Sequence, residues 1–165
     1  MFNLIRLAFV LCLSLMPALA LAQGANVAFG GLTQDTSLPV EVAADQLSVN
    51  QADGKATFSG NVLVTQGVLK LSAGEVLVEY TADRTGIDKL FASNGVTLVN
   101  ETDAAESRDA VYTIAAGEVV MTGDVLLTQG GNTLSGQKLV INLKTGQGTM
   151  EGRVQTVFQP KKVEN

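Results

Sequence analysis

The chain has 165 residues, no histidine, no tryptophan and one cysteine, and its formal net charge at neutral pH is −5. Because phosphate binding requires clustered positive charge, this acidic balance argues against a nucleic-acid partner. Without histidine, acid–base catalysis would depend on carboxylate pairs that converge in a cleft.

The first 22 residues have the features of a secretory signal peptide. Arg6 supplies a positive charge near the start, the run 7–15 is apolar except for one serine, and small residues lead up to Ala22. This pattern predicts cleavage after Ala22. The apolar run is shorter than a transmembrane helix needs, so a retained anchor is the less favoured alternative. Cleavage would remove Cys12, and export without cysteines fits the bacterial periplasm.

The remaining chain divides into an arm, one domain and a tail. Residues 23–37 are small, polar and glycine-rich and predict a loose N-terminal arm, and residues 160–165 predict a solvated C-terminal tail. Between them, residues 38–159 alternate apolar and polar side chains in short runs bounded by glycine, which predicts one all-β domain of antiparallel strands. The polar, alanine-rich stretch 100–106 is expected to be a loop. Strands are expected at 40–42, 47–50, 58–65, 69–71, 76–80, 96–98, 111–114, 119–127, 139–143 and 154–158.

A four-residue block with glycine in third place recurs along this domain. Copies lie at 58–61, 121–124 and 150–153, with a weaker one at 93–96. The two strongest continue in register as FSGNVLVTQG from Phe58 and MTGDVLLTQG from Met121. A repeat with two strands per unit predicts stacked β modules that bury a shared face. Such a frame favours a groove made by repetition over a pocket made around one reactive group.

The acidic residues give weak signals for chemistry. Asp45 and Asp109 occupy equivalent positions near the starts of repeat strands, but turn-capping or solvent-facing roles explain them better than a glycosidase-like pair. Asp83, Asp88 and Asp103 lack the spacing of a calcium loop. We therefore predict no catalytic residue, no metal site and no cofactor.

The apolar strand faces leave two interpretations open. Residues that share one parity in the repeat strands are Phe58, Val62, Val64, Met121, Val125 and Leu127, and Val49 lies in a similar alternating run. They form either a filled core or the lining of a partly open apolar groove. Periodicity alone does not distinguish these two arrangements.

Three runs resemble a known family of β-domains. The runs are PVEVAADQ at 39–46, FSGNVLVTQG at 58–67 and SAGEV at 72–76, and the segment 107–136 fits the same pattern. They resemble the OstA-like domain of the LptA family of lipopolysaccharide-transport proteins, over most of the chain from 38 to 158. The resemblance implies a β-jellyroll of antiparallel strands built from two-strand repeats, partly open and with an apolar interior. It also implies a periplasmic protein of Gram-negative bacteria that is not an enzyme and serves outer-membrane biogenesis.

The resemblance further implies a lipid site inside the jellyroll, where the acyl chains of lipid A would be shielded from water. By alignment, the lipid-contacting positions of the family fall on Val40, Val42, Leu98, Tyr112 and Ile114. The parity of the strands adds Val49, Phe58, Val62, Val64, Met121, Val125 and Leu127 to this expected groove.

The resemblance also implies partners. In the family, end strands join protomers head to tail, and join the OstA-like domains of an inner-membrane LptC-like and an outer-membrane LptD-like protein, so that a bridge links the two membranes. Such assembly edges are expected at Val40, Val42, Val154, Thr156, Val157 and Phe158. Because the first 22 residues have the pattern of a cleavable signal peptide, we expect the soluble exported member of the family instead of a relative with an anchor helix or a barrel. The alternatives are a self-assembling structural β-module without a lipid ligand and, less favoured, a carbohydrate-active enzyme.

Overall fold

The computed structural model describes residues 25–28, 33–101 and 103–159, and the regular structure in these residues is β-strand throughout. The predicted signal peptide at 1–22 and the predicted tail at 160–165 lie outside them. Across the described ranges, no helix is long and apolar enough to span a membrane. The strands are β1 Ala25–Ala28, β2 Glu41–Ala43, β3 Gln46–Asn50, β4 Lys55–Gln66, β5 Leu69–Tyr80, β6 Ile87–Ser93, β7 Val96–Asn100, β8 Asp103–Ser107, β9 Asp109–Thr113, β10 Glu118–Gln129, β11 Asn132–Asn142, β12 Gln147–Glu151 and β13 Gln155–Val157.

The strands form two antiparallel layers, and four long strands run through both of them. β4, β5, β10 and β11 each pair with one set of neighbours over one half and with another set over the other half. Layer A contains, in order, β3, β4, β5, β6, β9, β10, β11, β12 and β1. Layer B contains β2, β4, β5, β7, β8, β10, β11 and β13. The predicted all-β, antiparallel architecture is confirmed.

The repeated glycine blocks are the corners where the chain passes from one layer to the other. In β4, the pairing with β5 shifts between Ser59 and Val62, and the intervening Gly60 and Asn61 have φ values of +77° and +46°. The glycine block of β10 shifts in the same way. A Cβ on Gly60 would lie 2.6 Å from Oδ2 of Asp45. Glycine is required there because it tolerates both the positive φ and the close approach.

Backbone hydrogen bonds join neighbouring corners into one edge of the molecule, which we call the closed side. The Asp45 N–H donates to the Gly60 carbonyl over 2.9 Å. Further along, the Gly95 N–H donates to the Arg108 carbonyl over 3.2 Å, and the Arg108 N–H donates to the Gly123 carbonyl over 3.0 Å. The two layers are therefore held together along this edge by the main chain itself.

The core lies between the layers and is filled by aliphatic side chains from both. Large residues with 0% exposure are Leu90, Leu98, Met121, Leu127, Leu139, Ile141, Leu143 and Met150. Truncation of such a side chain to alanine costs about 2–5 kcal/mol of unfolding free energy. Packing between the layers is therefore the main stabilising term of the fold.

The structure corrects the expected strand positions in three places. The stretch 100–106 is not a loop, because β8 lies there and pairs with β7 and β10; its inward positions carry small or polar side chains, which hid the alternation. The strands β6 and β12 were not predicted, and β12 alternates Gly148 with Met150 on its inward side, a weak apolar signal. The expected loose arm contains β1, a four-residue strand that pairs with β12 and is too short to be recognised from its pattern.

Candidate functional site

Seven of the expected groove residues lie together in the core between the layers. Each is at most 4% exposed, and they are Val62, Val64, Leu98, Tyr112, Met121, Val125 and Leu127. Side chains alternate between the two faces of a strand, so their neighbours point outward. Leu63 on β4 and Leu126 on β10 are such neighbours, and each is 39% exposed. The parity that the sequence predicted is therefore confirmed for Val62, Val64, Met121, Val125 and Leu127.

The remaining expected groove residues lie at the margin of the core or beyond it. Partly buried and packed against the core are Val40, Val42, Phe58 and Ile114. Val49 is not part of the packed interior, although it pairs with the buried Ala56 and so shares the inward face. It is 60% exposed, and its neighbour Leu47 is 57% exposed, because β3 ends layer A and no described strand lies over them. The apolar inward face thus continues past the end of the core.

Opposite the closed side, the hairpin ends of the two layers form a second edge, which we call the mouth. On layer A this edge includes Leu143, directly after β11, and on layer B it includes Gln66, at the end of β4. The segment 33–38, which we call the strap, crosses it. The Gln34 N–H donates to the Leu143 carbonyl over 2.8 Å, and Gln34 Nε2 donates to the Gln66 carbonyl over 2.7 Å. The strap therefore connects the two layers across the mouth.

A buried polar cluster lies beneath the strap. Gln66 is 2% exposed, and its Nε2 donates to the carbonyls of Thr36 and Leu38 over 3.0 and 2.9 Å. Its Oε1 accepts a 2.6 Å hydrogen bond from the hydroxyl of Tyr112, which reaches across from layer A. Burial raises the pKa of Tyr112 to about 12, so the hydroxyl remains a donor at neutral pH. The side-chain amide of Gln66 thereby links the strap and both layers.

Further polar side chains line the layer B edge of the mouth. Asn100 and Asp103 are 2% and 3% exposed, and Gln129 Nε2 donates to Asp103 Oδ2 over 2.8 Å. Neither Gln66 nor Gln129 was among the expected site residues, because each lies just beyond the predicted end of its strand, at 65 and 127, and directly before a glycine. The parity of the repeat strands, extended by two positions, could have found both glutamines on the inward face.

The expected assembly edges lie at the two ends of layer B. Among the described strands, β2, with Val42, pairs only with β4, and β13, with Thr156 and Val157, pairs only with β11. Val157 is 59% exposed and Phe158 is 75% exposed, whereas Val154 packs against the core. Layer A ends in β3 and β1. An end strand with a neighbour on one side presents backbone groups that can accept a further strand.

Three of the acidic residues considered for chemistry, Asp45, Asp83 and Asp103, have structural side-chain partners. Asp45 accepts a 2.8 Å hydrogen bond from Asn61 at the closed side. Asp83 accepts hydrogen bonds from Thr81 and then Thr85 within its own turn, and these hold the pKa of its carboxyl below the ordinary value. In the part of the chain that the structure describes, no group of three or more potential ligands is placed to hold a metal ion. The arrangement offers apolar burial and, among the described strands, end strands that are paired on one side only.

Comparison with known proteins agrees with this geometry. Residues 41–147 match the family model described as LptA/(LptD N-terminal domain) LPS transport protein. An uncharacterized protein of Rhizobium meliloti is 30% identical, over 90% of this chain and 86% of its own length. The lipopolysaccharide export system protein LptH of Pseudomonas aeruginosa is 29% identical over 93% of this chain and 97% of its own. The lipopolysaccharide export system protein LptA of Escherichia coli is 28% identical over 94% of this chain and 89% of its own length.

The fold has a counterpart among solved structures. The crystal structure of LptH, the LptA-homologous periplasmic component of the lipopolysaccharide transport device of Pseudomonas aeruginosa, superposes with a TM-score of 0.69 at 22% identity. The match covers 77% of this chain and 99% of that one. It confirms the predicted jellyroll. The match of residues 41–147 to the family model shows that the chain belongs to the family of LptA and LptD N-terminal-domain lipopolysaccharide-transport proteins.

Proposed function

We propose that this protein is a periplasmic carrier that binds lipopolysaccharide and passes it from the inner to the outer membrane. Its relatives in Escherichia coli and Pseudomonas aeruginosa are named lipopolysaccharide export system proteins. The observation that carries the proposal is the apolar inward face, which runs through both layers and ends at strand edges that can accept a partner. A row of such domains would offer acyl chains a continuous apolar path.

The proposed ligand groups are the acyl chains of lipid A, held between layers A and B. Each methylene that leaves water contributes about 0.8 kcal/mol, so partial shielding of several chains is sufficient for binding. Because the core is packed, the chains can be accommodated only if the layers separate. The mouth is the edge at which we expect separation, since the main chain joins the layers at the closed side. The marginal residue Ile114, which directly follows β9 at the hairpin edge of layer A, would meet the lipid first.

The proposed assembly is head to tail, through strand addition at the ends of the layers. Backbone hydrogen bonds would supply the affinity, as in other β-augmentation complexes. Contacts between unlike ends do not close, so they extend into a bridge. The proposed partners are a second copy of the chain and the jellyroll domains of LptC-like and LptD-like proteins at the two membranes. Exposed Leu47 and Val49 would then be covered by the inward face of the next domain.

The proposed location requires export and cleavage of the signal peptide, which makes Gln23 the first residue of the mature protein. Intact-mass measurement of the protein recovered from the periplasm would test this. A retained apolar segment of residues 1–22 would instead indicate a membrane-anchored relative. The proposed role is carriage without a catalytic step.

Photo-crosslinking in cells tests the lipid site. A photoreactive phenylalanine at Phe58, on the inward face of β4, should give an adduct that reacts with an antibody against lipopolysaccharide. The matched control is the same group at Leu63, which lies on the outward face of the same strand. Equal labelling at both positions, or none at Phe58 in a folded protein, would contradict the lipid groove.

The packed core favours one alternative, a structural β-module that self-assembles without a lipid. Eight large aliphatic side chains at 0% exposure already fill the space between the layers. The alternative predicts self-association with no lipid adduct at Phe58. The crosslinking experiment therefore decides between the two functions.

A further inference from the structure

We propose that the strap, residues 33–38, is an internal competitor of the lipid, and that Gln66 is the group for which they compete. In the lipid-free protein, the side-chain amide of Gln66 binds two backbone carbonyls of the strap. In the loaded protein, the same amide binds an ester or amide carbonyl of an acyl chain at the mouth. This inference rests on the proposed function, because it assigns a position and an order of events to lipid binding.

The strap contacts the jellyroll through hydrogen bonds, and a ligand carbonyl can replace the strap as acceptor of the two that Gln66 donates. Its contacts with the jellyroll include the backbone and side-chain bonds of Gln34, to Leu143 and Gln66, and the two bonds from Gln66 Nε2 to its carbonyls. Leu38, its largest apolar residue, is 40% exposed. Each net hydrogen bond is worth only about 0.5–1.5 kcal/mol. A segment with little apolar burial belongs to the parts of a fold that open first.

The strap also has the internal order of a unit that can move as a whole. The carboxylate of Asp35 accepts hydrogen bonds from the Ser37 N–H and hydroxyl over 3.0 and 2.6 Å, and the Leu38 N–H donates to the Asp35 carbonyl over 3.3 Å. These bonds lie within the strap and survive its departure. Displacement therefore breaks the bonds that join the strap to Leu143 and Gln66, while the bonds between Asp35, Ser37 and Leu38 within the strap remain.

Gln66 is oriented so that its donor faces the strap and its acceptor faces the interior. The Tyr112 hydroxyl donates to Oε1, which leaves Nε2 directed at the strap carbonyls. When the strap departs, a buried donor would lack a partner, which is unfavourable unless another acceptor arrives. The carbonyl that joins an acyl chain to a sugar is such an acceptor, and it lies at the junction of apolar tail and polar head. Gln66 would thus fix the depth to which acyl chains enter.

Hydrogen exchange of the Gln34 amide measures the state of the strap in the mature, full-length protein. We expect saturating purified lipopolysaccharide to accelerate exchange at Gln34 at least tenfold, because the strap leaves its position on Leu143. The Asp45 amide, bonded to Gly60 at the closed side, should exchange at an unchanged rate. If lipopolysaccharide binds while Gln34 stays as protected as before, the strap is not displaced and this inference is wrong, although the proposed function stands. If lipopolysaccharide does not bind, the proposed function fails first.

The repeat supplies a matched pair of variants. Gln66→Leu removes the donor to the strap, and we expect Gln34 exchange without lipid to rise about tenfold and bound lipopolysaccharide to dissociate several-fold faster. Gln129→Leu changes the equivalent residue of the second repeat copy, whose side chain bonds to Asp103 instead of the strap. It should leave Gln34 exchange unchanged. Equal effects of both variants would contradict a specific role for Gln66.

A milder variant covers the case in which Gln66→Leu does not fold. Gln34→Ala removes one side-chain bond to the Gln66 carbonyl and leaves the buried amide in place. We expect exchange at position 34 to rise two- to fivefold. We also expect the rate of lipopolysaccharide association to rise, because the competing strap is held less tightly. Unchanged exchange and association in this variant would overturn the inference.

Discussion

The closed side and the mouth hold the same two layers together by different means. At the closed side, backbone N–H groups donate to backbone carbonyls at successive corners, and glycines with positive φ allow the chains to approach closely. At the mouth, one glutamine amide and a six-residue strap make the connection. The corner bonds hold the paired strands at the points where they bend, whereas the strap lies outside the described strands, so its bonds can break without disturbing strand pairing. From this comparison we expect a jellyroll with one fixed edge and one edge that can open, as proposed above.

The largest expected effect is at the closed side. Gly60→Ala places a Cβ 2.6 Å from Asp45 Oδ2 at a φ of +77°, so we expect a loss of about 2–4 kcal/mol in unfolding free energy. Gly130→Ala is the matched change in a hairpin at the mouth, where φ is also positive but no atom lies within 4 Å of the new Cβ. It should cost only about 1 kcal/mol. Urea unfolding of both variants measures the difference, and equal losses would show that the closed side is not specially crowded.

A charge at the margin of the interior should act on lipid binding more than on the fold. Ile114→Asp puts a carboxylate beside an apolar core, and we expect lipid crosslinking from Phe58 to fall at least tenfold, because an unpaired charge there is costly. Thr113→Asp, one position along β9 and of opposite parity, should leave crosslinking near the wild-type level. Circular dichroism confirms that each variant is folded. Normal crosslinking in folded Ile114→Asp would argue against lipid at this edge of the core.

Removal of the Tyr112 hydroxyl tests how much the buried polar cluster at the mouth contributes to the free energy of unfolding. Tyr112→Phe leaves Gln66 Oε1 without its donor, and we expect a loss of about 1–2 kcal/mol. The pKa of Tyr112 is about 12 in the fold against an ordinary value of 10.0, so the folded state holds the proton more tightly. The wild type should therefore lose stability as pH rises from about 10 to 12, in addition to its other titrations. Phenylalanine cannot titrate, so the pH dependence of unfolding should be shallower in the variant by this contribution.

The smallest effect on the fold is expected at the ends of the layers. Val157→Pro removes one backbone donor from β13 without adding charge. If β13 receives a strand from a second molecule, sedimentation at several concentrations should show smaller oligomers in the variant, while the melting temperature changes little. Val157→Ala, which keeps the donor, is the control. A monomeric wild type, or the same oligomers in a folded proline variant, would remove the head-to-tail proposal and leave the groove intact.

The alternation of side chains made the architecture and the inward direction of several core residues predictable. The lateral contacts between distant segments could not be predicted in this way. Val62, Val64, Val125 and Leu127 could be assigned to the interior because parity depends only on neighbours in sequence. The exposure of Val49 depends on what lies over β3, which no local pattern reports. The bond between Gln66 and the strap joins residues about thirty positions apart and involves two carbonyls. Backbone acceptors carry no sequence signal, so the strap could be described only from the structure.

The short pairing of β1 with β12 makes the two ends of the layers unequal. At one end of layer A, β3 presents its outer edge directly, whereas at the other end β1 already lies along β12. A strand that arrives from another molecule at this second end must add to β1 or replace it. A tethered competitor acts at an effective concentration on the order of millimolar, far above that of a free protein in dilute solution. If these domains assemble head to tail as proposed, growth of the chain should therefore be directional: the end at β3 should accept a neighbour freely, and the end at β1 only a neighbour that outcompetes the protein's own strand.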